Sequence, residues 1–174
     1  TSVTKVNGGG TATFTYDQKG NMVTGDGKTL NYNVHNKPTR ILNSGATSQL
    51  YYDSSLNRYK QVVTNGRFSN RTTYYIDKLY EVEVNNGKVK WRAYISDTAI
   101  VSHDDIDEHK IHFTHKDRLG SATTFSDHNG GVTAYRGYDP FGKPLGGDWS
   151  DMLPAKLVNN LYDSDMPTYR GFTD

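Results

Sequence analysis

The chain alternates between apolar and polar positions. Ala12, Phe14 and Tyr16 are separated by Thr13 and Thr15, and Leu30, Tyr32 and Val34 by Asn31 and Asn33. A period of two sends successive side chains to opposite faces, so each run predicts a strand with one face to bury and one for water. Between the runs stand Asp17 to Gly20 and then Asp26-Gly27, and Asn65-Gly66, Asn86-Gly87 and Asn129-Gly130 repeat the second device further along the chain. Each dipeptide pairs a residue tolerant of positive φ with a glycine, as a two-residue hairpin turn requires. The Asn86-Gly87 turn also sets a register. Val84 then faces Val89, Val82 faces Trp91 and Tyr80 faces Ala93, while on the other face Glu83 meets Lys90 and Glu81 meets Arg92. A slip of one residue would destroy both sets of pairs. Only 148–162 reads as helical, with Asp148 or Ser150 as N-cap, Leu153, Leu157 and Leu161 four apart, and Pro154 keeping it short. The pattern predicts an all-β fold of successive antiparallel hairpins with one short helix near 148–162.

Composition changes the picture of the core. Counted with Gly and without Tyr, apolar residues make up about 36% of the 174, against a usual ~45–50%. Thirteen tyrosines must therefore supply part of the packing. Aromatics at 12% in alternating runs argue against a disordered coil. Twenty Lys and Arg against 19 Asp and Glu leave no cationic excess for a phosphate backbone, which excludes a dedicated nucleic-acid binder. No window approaches the ~18 apolar residues of a membrane span. The absence of Cys excludes disulfides, thiolate metal sites and cysteine nucleophiles. A first residue of Thr suggests a piece of something longer, with any targeting signal elsewhere.

A unit recurs along the chain: an aromatic followed by a turn-forming Asp or Asn. It appears as Tyr16-Asp17, Tyr32-Asn33, Tyr52-Asp53, Tyr75-Ile76-Asp77 and Tyr138-Asp139. The fullest copy runs Tyr16, Asp17, Gly20, Asn21, then Gly27, then Tyr32-Asn33. Tyr ends a strand with its ring packed, Asp accepts backbone N–H groups in the turn, and Gly supplies positive φ.

These residues resemble the YD-repeat family, also called RHS repeats. His115-Lys116-Asp117-Arg118-Leu119-Gly120-Ser121 is similar to the family's Asp-x-Leu-Gly-Ser element, and Asp127 to Gly130 to the Asp-x-x-Gly that follows it. Tyr138-Asp139-Pro140-Phe141-Gly142 resembles its Tyr-Asp-Pro-Phe-Gly element, and Gly171-Phe172-Thr173 the step that precedes the rest of the RHS-associated core. The resemblance implies repeat hairpins over 1–114 and the start of the core region over 115–174, in one continuous sheet. It implies part of a spiralling β-sheet shell around a C-terminal toxin or effector domain. The partners implied are neighbouring repeats and that cargo, and the location is secreted or cell-surface. The family's self-cleavage motifs lie further along its core, so no residue here is assigned a catalytic role.

Other chemistry is weighed against blander readings. His103 to His115 crowds four imidazoles and four carboxylates into thirteen positions. Asp104, Asp105 and Asp107 are the candidate Ca²⁺ ligands, because hard oxygens dominate. The alternation of Ile111, Phe113 and His115 with His112 and Thr114 reads instead as an acidic loop feeding a strand, with no metal. Ser121, His115 and Asp117 contain the residue types of a hydrolase triad but sit within seven positions on a turn, without a Gly-x-Ser-x-Gly elbow. Tyr51, Tyr74, Tyr94 and Trp149 could stack on sugar rings, making carbohydrate binding in adhesion the alternative function. The expectation is a non-catalytic structural segment without a cofactor.

Overall fold

The computed structural model describes residues 2–7, 10–25, 27–43, 45–65, 68–103, 109–138, 144–145 and 167–168. The strands are β1 (Ser2–Asn7), β2 (Gly10–Tyr16), β3 (Met22–Gly25), β4 (Lys28–Tyr32), β5 (Pro38–Asn43), β6 (Ala46–Tyr52), β7 (Arg58–Asn65) and β8 (Phe68–Ile76). They continue as β9 (Tyr80–Asn85), β10 (Lys88–Ile95), β11 (Ala99–His103), β12 (Lys110–Lys116), β13 (Ala122–Ser126) and β14 (Val132–Tyr135). Strand order follows chain order from β1 to β14. A separate ribbon pairs β15 (Gly137–Tyr138) with β16 (Pro144–Leu145). The fold is all-β, as the alternation predicts, and no described residue is helical. The helix expected over 148–162 lies outside the described residues.

The chain divides into two compact units. One comprises Thr1–Asp77 with Glu81–Val89, the other Lys78–Tyr80 with Lys90–Asp174.

In the first unit, Ile41, Ser48, Val63 and Arg71 lie across from one another on β5 to β8, and Leu50, Gln61 and Thr73 form the next row of the same face. Leu50 and Thr73 are buried. Gln61 ties this face together, donating to Ser48 Oγ at 2.8 Å and accepting from the Tyr75 hydroxyl at 2.8 Å. The row Tyr51, Lys60, Tyr74 occupies the opposite face, where both rings are exposed. At the start of this unit Phe14 lies over Gly25. A Cβ there would come within 2.2 Å of the ring, so glycine is what lets the ring cover the strand.

In the second unit, Arg92, Ser102 and Lys110 form one row, with Tyr94, Ile100 and His112 beside it on the same face. Phe125 is fully buried on β13, paired with Thr114 and Ala134. The other face carries Trp91 against His103, then Ala93, Val101 and Ile111. Asn86 and Gly87 both have positive φ, as their turn requires. The Tyr94 N–H donates to the Leu79 carbonyl at 2.8 Å, on the register expected from that turn.

Tyrosine does not fill the core in the expected way. Among the described residues none is fully buried; Tyr16, Tyr32, Tyr52 and Tyr75 are half-buried. A phenol needs a partner for its hydroxyl, and a half-buried site provides one while still covering the ring. The buried positions go to Leu50, Ile100 and Phe125 and to the polar Thr73, Glu81, Glu83, Arg92, Ser102, Ser121, Ser126, Arg136 and Thr168, of which Phe125, Arg92 and Ser121 are fully buried.

Candidate functional site: the repeated turns and the buried polar face

Among the described residues one turn is built five times. In the first copy the Gly20 N–H donates to the Asp17 carbonyl at 3.2 Å and the Asp17 N–H to the Asn21 carbonyl at 2.9 Å. Asp17 Oδ1 fills the interior, accepting from the Lys19 N–H at 2.8 Å and the Asn21 N–H at 2.9 Å. The same four bonds recur around Asn33, Asp53, Asp117 and Asp127. The fourth residue of each turn has positive φ: Gly20 at 84°, Asn36 at 60°, Leu56 at 63°, Gly120 at 89° and Gly130 at 82°. The ladder shifts by one residue just before each turn, the bulge expected where a type I turn is followed by a left-handed residue. A short side chain with an acceptor two bonds from Cβ is what this turn needs, which is why Asp and Asn exchange at its first position.

Tyrosines join one turn to the next in the first unit. The Tyr32 hydroxyl donates to the Met22 carbonyl at 2.9 Å, and the Tyr52 hydroxyl to the Pro38 carbonyl at 2.9 Å. In both, the acceptor lies five residues after the Asp or Asn of the preceding turn. Asn21 Nδ2 adds bonds to Asp17 Oδ2 at 2.9 Å and to Asn36 Oδ1 at 3.0 Å, and Lys19 Nζ reaches the Val34 carbonyl at 3.3 Å. Asp17, Asn21, Leu30, Tyr32 and Val34 line a shallow groove between these two turns. The Asn21 side-chain amide, then its N–H, hold the Asp17 carboxyl below its ordinary value. Burial pushes the Tyr32, Tyr52 and Tyr75 hydroxyls up; Asp17 adds to this at Tyr32, and Arg58 opposes it at Tyr52 and Tyr75.

The turn at Asp77 is of another kind. Asp77 itself takes a φ of 54°, and Ser96 does the same at 53°, the latter closed by a Thr98 N–H to Ile95 carbonyl bond at 3.2 Å. In the Ser96 turn the left-handed residue is thus the second, whereas in the repeated turn it is the fourth.

The buried face holds charge. Arg71 and Glu83 pair at 3.9 Å, both nearly buried, and Arg58 sits 4.4 Å from the Tyr75 ring centre. Glu81 is 3% exposed and Arg92 is fully buried. On the second unit's opposite face Tyr80 stacks on Trp91 at 5.6 Å, with His103 and His109 at 5.8 and 5.4 Å from Trp91. Ile111 and Phe113 are exposed there too. The polar face is the covered one.

The other candidates are placed as follows. Ser121 is buried, Leu119 is exposed in its turn, and Asp117 Oδ1 bonds backbone N–H groups. His115 Nε2 pairs with Ser126 Oγ at 2.8 Å, so His115, Asp117 and Ser121 do not form a relay. His112 bonds Thr133 Oγ1 at 3.2 Å, and burial followed by Lys110 and Lys90 pushes its pKa down. Tyr51 and Tyr74 flank Lys60 Nζ at 5.2 and 5.6 Å, whereas the Tyr94 hydroxyl is hydrogen-bonded to Thr168. Tyr138 accepts from Arg136 Nη1 at 3.1 Å. Asp104, Asp105, Asp107, Asp139, Pro140, Gly142 and Trp149 lie outside the described residues. Among the described residues no group of three or more His, Cys, Asp or Glu is placed to hold a metal. The alternation of the strands did not reveal Arg71, Arg136 and Thr168, whose roles depend on long-range contacts.

No protein-family model and no curated protein matches the sequence. Solved structures do match. The chain shares its fold with part of a Tc toxin. The crystal structure of TcdB2-TccC3 aligns with a TM-score of 0.64 at 15% identity, over 82% of this chain and 8% of that one. The Photorhabdus luminescens Tc holotoxin pore gives 0.63 at 16%, over 82% and 8%. TcdB2-TccC3 without its hypervariable C-terminal region gives 0.60 at 13%, over 86% and 9%. This chain therefore spans less than a tenth of the length of these Tc chains. None of its described helices is long and apolar enough to cross a membrane, since none of its described residues is helical.

Proposed function

We propose that this chain is a non-catalytic wall segment of a YD-repeat shell that encloses a C-terminal toxin or effector polypeptide in a secreted complex. The observation that carries the reading is the turn built five times on the Asp and Asn positions of the repeat, in a sheet whose fold is shared with Tc toxin chains. A repeated hairpin contacts only its neighbours, so each copy lengthens a wall without a core of its own. The partners are adjacent repeats and the enclosed chain. The face that carries Glu81, Glu83, Arg92 and Ser102 is polar, and a polar lining does not require a matching apolar cargo.

The experiment uses the full-length protein that carries this chain. After brief protease treatment, the polypeptide C-terminal to the repeats is expected to survive intact until denaturant opens the particle. Digestion at the rate of an exposed linker, with the repeats still folded, would overturn the enclosure reading.

A further inference from the structure

The second unit holds a piece of chain far from it in sequence. Pro167 and Thr168 are buried, Thr168 at 2% exposure. The Thr168 hydroxyl lies 2.7 Å from the Tyr94 hydroxyl on β10. Arg136, just after β14, donates from Nη2 to the Thr168 carbonyl.

Arg136 is itself fixed on several sides. Its N–H donates to the Thr123 carbonyl at 2.8 Å, its Nη1 donates to the Tyr138 hydroxyl at 3.1 Å, and its guanidinium sits 5.7 Å from the centre of the buried Phe125 ring. A buried cation must keep hydrogen bonds, and a planar fork held against a ring is preorganised to offer one donor outward. Pro167 suits burial beside it, because its backbone has no N–H to leave unsatisfied.

We propose that Arg136 and Tyr94, with Phe125 backing the arginine, form a clamp for polypeptide, and that its occupant is the Pro167–Thr168 segment of this same chain. The arginine reads a main-chain carbonyl, which any residue provides. The tyrosine reads a small side-chain hydroxyl, which restricts the position to Thr or Ser. The clamp depends on residues of this chain alone and stands whether or not a shell encloses cargo.

Hydrogen exchange of the residue-168 amide in the whole chain, followed by NMR, tests it. Thr168→Val and Tyr94→Phe are each expected to speed exchange there about 2- to 10-fold, the range of one modest hydrogen bond. The double variant is expected to be no faster than either single one, because both delete the same bond. Thr168→Ser should match the parent. Arg136→Lys keeps the charge but loses the fork, and should also speed exchange while β10 to β13 keep theirs. Unchanged exchange in Thr168→Val and Tyr94→Phe, or effects that simply add in the double variant, would overturn the clamp.

Discussion

The two units use the same turn but precede it with different residues. Before Asp17, Asn33 and Asp53 the first unit has Tyr16, Tyr32 and Tyr52, and the last two of these donate to a carbonyl beyond the preceding turn. Before Asp117 and Asp127 the second unit has Lys116, paired with Asp97 at 3.0 Å, and Ser126, paired with His115. The backbone of the turn is thus separable from what docks it to its neighbour. Asp or Asn with a left-handed fourth residue makes the turn, and the residue before it chooses the contact. Both buried centres mix apolar and charged side chains: Leu50 with an Arg71–Glu83 pair in the first, Phe125 and Ile100 with Arg92 and Arg136 in the second.

The largest effects should come from those centres. Phe125→Ala should cost ~3–5 kcal/mol through its cavity, read from a urea midpoint. Glu83→Ala removes the carboxylate 3.9 Å from Arg71 in a nearly buried site and is expected to cost about 1–3 kcal/mol, read the same way. A silent Glu83→Ala would show that the charge on the covered face of the first unit is solvated.

The turns come next. Asp53→Ala and Asp117→Ala each remove an acceptor serving two N–H groups and should cost about 1–2 kcal/mol, alike in both units. Asp53→Asn should cost far less, since Asn33 already makes the same two bonds. Unequal losses between the units would show that the turn is not the shared element.

Gly20→Ala meets no atom within 4 Å, so its loss of about 1 kcal/mol is conformational alone. Leu56 occupies the equivalent position with φ at 63°, so Leu56→Gly should recover up to about 1 kcal/mol, less what its half-buried side chain contributes. Differential scanning calorimetry on the pair separates the two terms. Tyr52→Phe should cost about 0.5–1.5 kcal/mol, and the second unit has no counterpart at Lys116 or Ser126.

The smallest effect is one of pH. Tyr32, Tyr52 and Tyr75 have hydroxyls raised above the ordinary tyrosine value. Their contribution is full below about pH 10 and is lost as pH rises through the raised values, because the unfolded chain releases its protons first. Tyr52→Phe should therefore flatten the alkaline limb of a stability–pH curve. At the acid end Asp17, held low, contributes above the ordinary carboxyl value and loses that as pH falls through its own.

Much of the fold was legible in the sequence. Alternation marked β2, β4 and the β9–β10 hairpin, and Asn86-Gly87 marked its turn, since both signals are local and steric; Asn129-Gly130, expected as a two-residue turn, instead closes the longer Asp127 turn, with only Gly130 at positive φ. Leu56 escaped because nothing about a leucine announces positive φ; neighbouring Asp53 forces it. The covered face escaped for a different reason. Alternation separates Glu81 and Glu83 from Val82 and Val84 without saying which pair turns inward, and hydrophobicity alone points the wrong way. Thr168 and Arg136 are 32 residues apart, and no periodicity links them.

A wall segment as proposed would have the face bearing Arg92 turned toward the enclosed chain and the other turned outward. The chain has no cysteine, so single thiols report cleanly. Lys110 and Ile111 are both exposed, adjacent and on opposite faces, Lys110 in the Arg92–Ser102 row. In the full-length protein, Lys110→Cys should resist a bulky maleimide while Ile111→Cys reacts, and both should react in the isolated chain. Equal labelling of the two in the full-length protein, or protection of Ile111→Cys instead, would contradict the account.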